Sequence, residues 1–567
     1  MTACSVTAIS WARVHLTLTV LLEAAAGQHE QVVFELVDKG RHFPVETTWL
    51  GSDFFELHIN ITNFRSRRQV PDGSWRLVPF VDGEQVGPAA GYELSQMEQL
   101  DQDSRTFVYA KNMVSFIVNF GVTEDDVRPD FLIRTYQMFR SSRARKPKPS
   151  VRGFVARKVL PRARRVKLAN RWYDLARTVS RPDGTRVLFA SEMRRSMEGN
   201  LLRVHDRMVE RGLDSRFSFR YSFRMPYTAT KRSTLRVIWL LATSDVVLID
   251  DYFGMLQSLK LSPSTKIIQA WHAGSGFKSI GYSRFGKYGS PKLQNAHRKY
   301  TYVLTGSEHL VPVYAEAFGI EEDAVIPTGL PRIDTFLDPA RTEQVVADFY
   351  AEHPQLRDKK ILLFAPTFRG RTSTSAYYDY SRIDFDQLYE MCGEDAVVLF
   401  RMHHFVRDPV PIPPEYADRL LDFASFPSSN DLLHVTDILI TDYSSIIYEF
   451  SLLNRPMVFF AYDKEIYAAT RGFHRDFEVT APGKVCTTTE ALVRAVQEED
   501  FDLWKIEAFR RENFDRVDTG SADRVIDWLI LDDPRTSRAA SSQPAREEPT
   551  AGDANVAAAE LVDQDEA

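Results

Sequence analysis

Residues 438–462 read ILITDYSSIIYEFSLLNRPMVFFAY. Ile438–Thr441 is a short apolar run of strand type, and Asp442-Tyr443-Ser444-Ser445 is a polar corner. Ile446, Ile447, Phe450, Leu452 and Leu453 then recur at helical spacing. Asn454-Arg455-Pro456 stops that helix, and Met457–Phe460 has the character of a second buried strand. Strand, tight turn, helix, strand is one right-handed βαβ unit of a parallel sheet. The turn puts two serines and an aspartate where a strand's C-terminal end meets a helix N-terminus. Free N–H groups and a partial positive charge at such an end suit an anion such as phosphate. The same residues would serve as plain N-caps, and the stretch alone leaves both roles open.

The pattern extends in both directions. Leu420–Phe423, Val397–Phe400 and Ile361–Phe364 read as further strands of the same sheet, and helices from Thr489 to about Leu531 close it. Upstream, strands are expected at Val187–Ala190, Leu235–Leu241, Val246–Ile249, Lys266–Ala270, Tyr302–Thr305 and Ala324–Ile326. A helix over Asn200–Arg211 ends at Gly212, and Pro331–Pro354 reads as a connection. Alternating strands and helices predict two doubly wound α/β domains, 186–336 and 337–533. Residues 1–140 differ. Phe55, Leu57, Ile59 and Ile61 alternate with Glu56, His58, Asn60 and Thr62; Pro71-Asp72-Gly73 marks a turn, and Trp75–Val81 is another strand. This predicts a small all-β sandwich.

At 567 residues the chain needs several cores, and 44% hydrophobic content can fill them. A net charge of −6 speaks against a polyanion-binding protein. Cys4, Cys392 and Cys486 are too scattered for a disulfide framework or a zinc site and suit a reducing compartment. No apolar run approaches the ~20 residues that span a bilayer. Leu16, Leu18 and Val20 alternate with Thr17 and Thr19, so this stretch is expected to be a half-buried strand rather than a signal peptide.

Residues 143–171 contain a dozen Lys and Arg and no acid, with Phe154, Val155, Leu160 and Val166 interleaved. A solvated linker, a patch on an anionic membrane and a nucleic-acid contact share this footprint. No nucleic-acid module follows, and no nucleic-acid partner is expected. Residues 141–185 are therefore taken as a basic linker or membrane-docking segment. The tail, 534–567, is poor in bulky apolar residues and is expected to be disordered.

Four polar corners fall at strand ends: Trp271–Lys278, Ala365–Gly370, Arg401–His404 and Thr441–Ser445. Between two doubly wound domains such ends line a cleft. Together they offer histidines, arginines and a helix N-terminus, a set suited to a diphosphate and to a proton that must be moved. His403 and His404 are adjacent with no metal-ligand spacing, so no metal is expected, and no cofactor motif is present.

At these corners the sequence resembles the CDP-glycerol glycerophosphotransferase family of teichoic-acid primases and polymerases. The match lies in Trp271-His272 with Phe277-Lys278 and Gly281-Tyr282, in Thr328–Asp334, and in Ala365–Arg369. It continues in Arg401-Met402-His403, Asp431-Leu432-Leu433, Ile440–Ser445 with Arg455-Pro456, and Gly520–Arg524. It spans about Arg186–Asp532. The resemblance implies a GT-B-like pair of Rossmann-type domains and a CDP-glycerol or CDP-ribitol donor, with glycerol first and ribitol as the alternative. It implies a lipid-linked saccharide or polyol-phosphate acceptor, attachment to the cytoplasmic face of the membrane, and room for a homo-oligomer. A GT-B sugar transferase is the further alternative. Where many members carry His-Gly-Thr-Pro-Leu-Lys, this chain has His272-Ala273-Gly274-Ser275-Gly276-Phe277-Lys278, closer to the branch that includes ribitol-phosphate transferases. On this reading His272 is the general base, assisted by His403. Arg369, Arg401, Asp442, Ser444 and Ser445 bind the donor's phosphates, and Lys278, Gly274, Thr367 and Arg332 complete the pocket.

Overall fold

Alternation of apolar and polar residues, which buries every second side chain of a strand, builds the N-terminal quarter of the chain. A computed structural model describes residues 4–23, 31–92, 104–109, 114–123, 129–139, 162–225, 229–271, 277–286, 291–369, 376–464, 467–468 and 472–533. Eleven antiparallel strands are described in the N-terminal region. They are β1 (Cys4–Ala12), β2 (His15–Leu22), β3 (Val33–Asp38), β4 (Arg41–Pro44), β5 (Glu46–Gly51), β6 (Phe54–Asn60), β7 (Gly73–Val81), β8 (Glu84–Gln85), β9 (Ser104–Tyr109), β10 (Val114–Val122) and β11 (Phe131–Phe139). One sheet has the order β1-β2-β6-β5. The other runs β4-β3-β7-β11-β10-β9, with β8 beside β7. Leu16, Leu18 and Val20 of β2 and Phe55 and Leu57 of β6 share one core with Phe34, Trp75, Phe116 and Phe131 of the second sheet. Trp75, fully buried, donates its indole N–H to Thr135 Oγ1 at 3.0 Å, so the polar atom of the largest core side chain is satisfied.

The rest of the described chain is parallel α/β. Strands β12 (Arg186–Ser191), β13 (Ser218–Phe223), β14 (Val246–Ile249), β15 (Lys266–Gln269), β16 (Tyr302–Leu304) and β17 (Val325–Ile326) form a sheet of order β13-β12-β14-β15-β16-β17. Strands β18 (Lys360–Phe364), β19 (Ala396–Phe400), β20 (Leu420–Asp422), β21 (Ile438–Thr441), β22 (Met457–Phe460) and β23 (Lys484–Cys486) form another, of order β20-β19-β18-β21-β22-β23. In both, the strand order reverses once, beside β12 and beside β18. The crevice outside the strands' C-terminal ends at such a point is where open α/β sheets bind ligands.

Two local expectations are corrected. Leu235–Leu241, expected as a strand, lies inside a helix, α1 (Lys231–Thr243). Its buried residues Val237, Ile238 and Leu241 recur at helical spacing, and Thr230 and Ser233 form a capping box at its start. The strand in that part of the sheet is β13, whose residues are only half-buried because it lies at the sheet edge. Pro331–Pro354 is not an open connection: it holds two helices, each with proline in its first turn. The helix after the opening corner is also short, Ile447–Ser451, with Ile446 and Leu452–Asn454 in turns.

The basic segment is described only from Arg162. There an 18-residue helix, Arg162–Val179, packs Tyr173 and Ala176 inward and sets Trp172 against Trp239 of α1 at 5.7 Å. Residues 143–161 and the tail 534–567 lie outside the described residues. Among the described residues no helix is long and apolar enough to cross a membrane.

Contacts of three kinds illustrate how the parts are joined. The β-sandwich core extends onto Tyr282, Phe285 and Leu293, with Phe107 stacked on Phe285 at 5.3 Å. Arg13, in the turn between β1 and β2, pairs with Glu316 at 2.8 Å. The last helical stretch, Ser521–Ile530, returns to the sheet that contains β12, packing Ala522, Val525 and Ile526 against Val187 and Leu201.

Candidate active site

The reversal point of the second sheet brings two corners together. β18 runs into Ala365–Arg369 and β21 into Asp442–Ser445. Thr441 Oγ1 donates to Ala365 O at 2.7 Å, and the Thr367 N–H donates to Asp442 Oδ1 at 2.7 Å. Asp442 is fully buried and also accepts the Tyr443 N–H. It therefore fixes both loops at once, a cap that spans two strand ends.

Arg369 is the centre of this construction. Only 8% exposed, it gives Nε and Nη2 to Asp463 at 2.6 and 2.8 Å, and Nη1 to Asp442 Oδ2 and Thr367 O, both at 2.8 Å. The rings of Tyr378, Tyr443, Tyr462 and Tyr467 surround it, 5.2–5.8 Å from the guanidinium carbon. Burial acts against its charge, but Asp442 and Asp463 outweigh that and raise its pKa above the usual arginine value. Both Arg369 and Asp442 were expected to touch phosphate. Here Arg369 donates to Asp442, Asp463 and Thr367, and Asp442 accepts from Arg369, Thr367 and Tyr443, so the two residues brace the corner.

Ser444 and Ser445 are half-buried and follow directly on Asp442, and Ser444 Oγ lies 3.5 Å from the Ile446 N–H. At the end of β19, Arg401 donates to Ala424 O, and among the described residues its buried Nε has no partner. Burial lowers its pKa. His403 packs at a tilt of 52° against Phe368 with ring centres 4.8 Å apart and accepts the Phe405 N–H on Nδ1 at 3.2 Å. That bond leaves the proton of a neutral ring on Nε2, so His403 presents an N–H donor. Burial, reinforced by His404, Lys278 and Arg401, pushes the imidazole down to about 4. His404 stacks on it at 4.4 Å. Lys278 comes from the first α/β unit and places Nζ 3.4 Å from Thr367 Oγ1. Its neighbours pair with the second unit, Ser279 N–H to Gly472 O at 3.2 Å and His474 N–H to Phe277 O at 3.1 Å.

His272 and Gly274 lie outside the described residues. What leads into them is described: Trp271 is nearly buried against Phe318 and His297, and it anchors the end of β15. Arg332, expected in the pocket, instead pairs its guanidinium with Glu449 at 2.5 Å. The surrounding motif residues also hold the chain's crossings between the α/β units. Asp334 accepts the Ser521 and Ala522 N–H groups at 2.9 and 2.7 Å, and Arg524 Nε donates to Thr328 O at 2.7 Å.

Sequence reasoning missed Asp463, Glu449 and Asn200. Asp463 stands three residues past β22, one more polar residue after a strand's C-terminal end, and that position was a usable signal. Nothing local marks Asn200 or Glu449.

The geometry thus contains a clamped two-loop corner, a neutral imidazole donor, two cations and two hydroxyls at the reversal point of a parallel sheet. The family described as CDP-Glycerol:Poly(glycerophosphate) glycerophosphotransferase matches residues 173–531. The chain is 38% identical over 349 residues to the teichoic acid poly(ribitol-phosphate) polymerase of Bacillus spizizenii, covering 61% of this chain and 56% of that one. It is 34% identical to the teichoic acid ribitol-phosphate polymerase TarL of Staphylococcus aureus, covering 72% of this chain and 71% of that one. The teichoic acid glycerol-phosphate primase of Bacillus subtilis is 28% identical over 302 residues, 52% of this chain and 76% of that one. Among solved structures, the wall teichoic acid polymerase TagF superposes with a TM-score of 0.52 at 22% identity, covering 68% of this chain and 96% of that one. The chain belongs to the CDP-Glycerol:Poly(glycerophosphate) glycerophosphotransferase family.

Proposed function

We propose that the chain transfers a polyol phosphate from a CDP-activated donor to a hydroxyl of a lipid-linked or polyol-phosphate acceptor, releasing CMP. The observation that carries this is the second sheet's reversal point, where Ser444, Ser445, Arg401, His403 and Lys278 converge around the corner clamped by Arg369 and Asp442. Ligands of doubly wound sheets lie at such points, and a diphosphate needs this density of donors. The two α/β units are taken as a GT-B pair with the donor on the second.

In this mechanism His272 takes the proton of the acceptor hydroxyl. The freed oxygen attacks the donor's β-phosphorus, the bond from that phosphorus to the bridging oxygen breaks, and CMP departs. His403, neutral and donating through Nε2, and the cations Lys278 and Arg401 stabilise charge on the phosphoryl oxygens. Arg369 and Asp442 act by position.

Ribitol is favoured over glycerol as the polyol. Identities to the ribitol-phosphate polymerases run from 34 to 38%, against 28% for the glycerol-phosphate primase of Bacillus subtilis. The exposed cations Arg164, Arg165, Lys167 and Arg171 of the helix Arg162–Val179, with exposed Leu168 and Leu175, support peripheral docking on an anionic membrane.

CMP release is the test, measured with CDP-ribitol, CDP-glycerol and a nucleotide sugar in the presence of a polyol-phosphate acceptor. Release from CDP-ribitol, lost on His272→Ala, is expected, with a loss on the order of 10²–10⁴-fold. Release from the nucleotide sugar alone defeats the reading.

A further inference from the structure

A chain of three side chains, two of them buried, links the two α/β units. Asn200 opens the helix Gly199–Glu210 and is 3% exposed. Its amide donates to Ala270 O at 2.6 Å and to Trp271 O at 3.0 Å, the last two carbonyls before His272. Its Oδ1 accepts the Arg332 N–H at 2.9 Å. These three bonds fix the amide's orientation, since only the NH₂ group can face two carbonyls. Arg332 in turn reaches the second unit, donating from Nε to Glu449 Oε1 at 2.6 Å. Glu449, 4% exposed, lies on the short helix Ile447–Ser451 that follows Ser444 and Ser445.

We infer that Asn200, Arg332 and Glu449 form a positioning relay that couples donor binding at Ser444–Ser445 to the strand end leading into His272. The inference rests on the proposed function. Ordering of Ser444 and Ser445 on a phosphate restrains the helix that carries Glu449. Glu449 holds Arg332, and the Arg332 main chain holds the Asn200 amide, which sets the two carbonyls ahead of the base. Asn200 and Glu449 are buried and the Arg332 side chain is 12% exposed, so water screens the link only weakly. None of them touches the proposed phosphate ligands directly in the bonds described. A misplacement of about 1 Å at a reacting group costs on the order of 10²-fold in rate.

Asn200→Asp is the discriminating change. It keeps the size and the acceptor for Arg332 and loses both donors to Ala270 and Trp271. The expected result is a kcat about 100-fold lower, with the KM for CDP-ribitol and the calorimetric affinity for CDP within twofold of wild type. Glu449→Gln should give the same split. The double variant should be no slower than Asn200→Asp within twofold, because both act through one chain. Arg332→Lys, which retains the main-chain N–H, provides the same cycle should the Glu449 variant melt early. Losses that multiply in the double variant, or that fall on donor KM and CDP affinity, overturn the relay. A wild-type chain that binds CDP but turns over neither CDP-polyol overturns the proposed function, and the relay with it.

Discussion

Arg369 separates a ligand from a clamp by experiment. Arg369→Met keeps an unbranched apolar stem of similar reach and removes the guanidinium. Asp463 then loses two hydrogen bonds and Asp442 loses one, and the Thr367 carbonyl loses its donor. Asp442 is fully buried and Asp463 is 13% exposed, so two carboxylates are left without their cation in a low-dielectric corner. Removing one partner of a buried pair costs about 3–5 kcal/mol. Against a total stability of about 5–15 kcal/mol this is a large fraction. At about 2–4 °C per kcal/mol for a unit of 150–250 residues, the transition of the second α/β unit should fall by about 6–20 °C. Scanning calorimetry reads this directly, and CDP titration reads the site. Changing Asp442 and Asp463 to Asn in the same chain should restore part of the loss, since the uncompensated charge is then gone. A variant that melts within about 2 °C of wild type and binds CDP at least tenfold more weakly would refute the clamp and make Arg369 a phosphate ligand.

Other outcomes follow from the same structure. Gly329 has φ +80°, and a Cβ there would lie 2.4 Å from Ser521 Oγ; Gly329→Ala should therefore cost about 2 kcal/mol or more, seen as a lower urea midpoint. Burial pushes His297 down to about 3 and His474 down to about 4, so both are neutral in the folded chain. An unfolded histidine titrates near about 6.5, so the unfolded state takes up more protons below that pH. Stability should be fully retained above it and fall as pH drops towards 4, by up to about 1.4 kcal/mol per pH unit for each residue. His474→Leu should flatten the fall of melting temperature with pH, and an unchanged slope would show that His474 does not titrate as described. Reversing Arg164, Arg165, Lys167 and Arg171 to Glu should cut sedimentation with anionic vesicles more than tenfold, at about 1 kcal/mol per cation, and leave CMP release from a soluble acceptor intact. Ser444→Ala with Ser445→Ala should raise the donor KM about tenfold or more, two hydrogen bonds to a charged group being lost.

Much of the α/β part was legible because parallel strands buried on both faces are nearly continuous apolar runs. Ile361–Phe364, Val397–Phe400 and Met457–Phe460 stand out for that reason. Where the cue was ambiguous, the reading failed. Leu235–Leu241 is apolar enough for a strand, and its helical identity rests on the Thr230–Ser233 cap and on burial at every third or fourth residue. Edge strand β13, SFRYSF, was passed over because none of its residues is fully buried and it has no continuous apolar run.

The chemistry-bearing residue types could be found from their place after strands, since a polar residue just past a buried apolar run has few structural reasons to be there. Their division of labour could not. Asp442 and Arg369 look as much like ligands as Ser444 and Arg401 until Asp463, 94 residues from Arg369, is seen completing the clamp. The sequence by itself determined the doubly wound plan, the strand-end corners at 365–369, 401–404 and 441–445, and the family, because strand periodicity and local turn chemistry are short-range. The tertiary structure alone decided which of these groups pair with one another. Partner choice in a buried ion pair or amide triad depends on contacts between segments tens to hundreds of residues apart. Asn200 meeting Ala270, Trp271 and Arg332 is the clearest case.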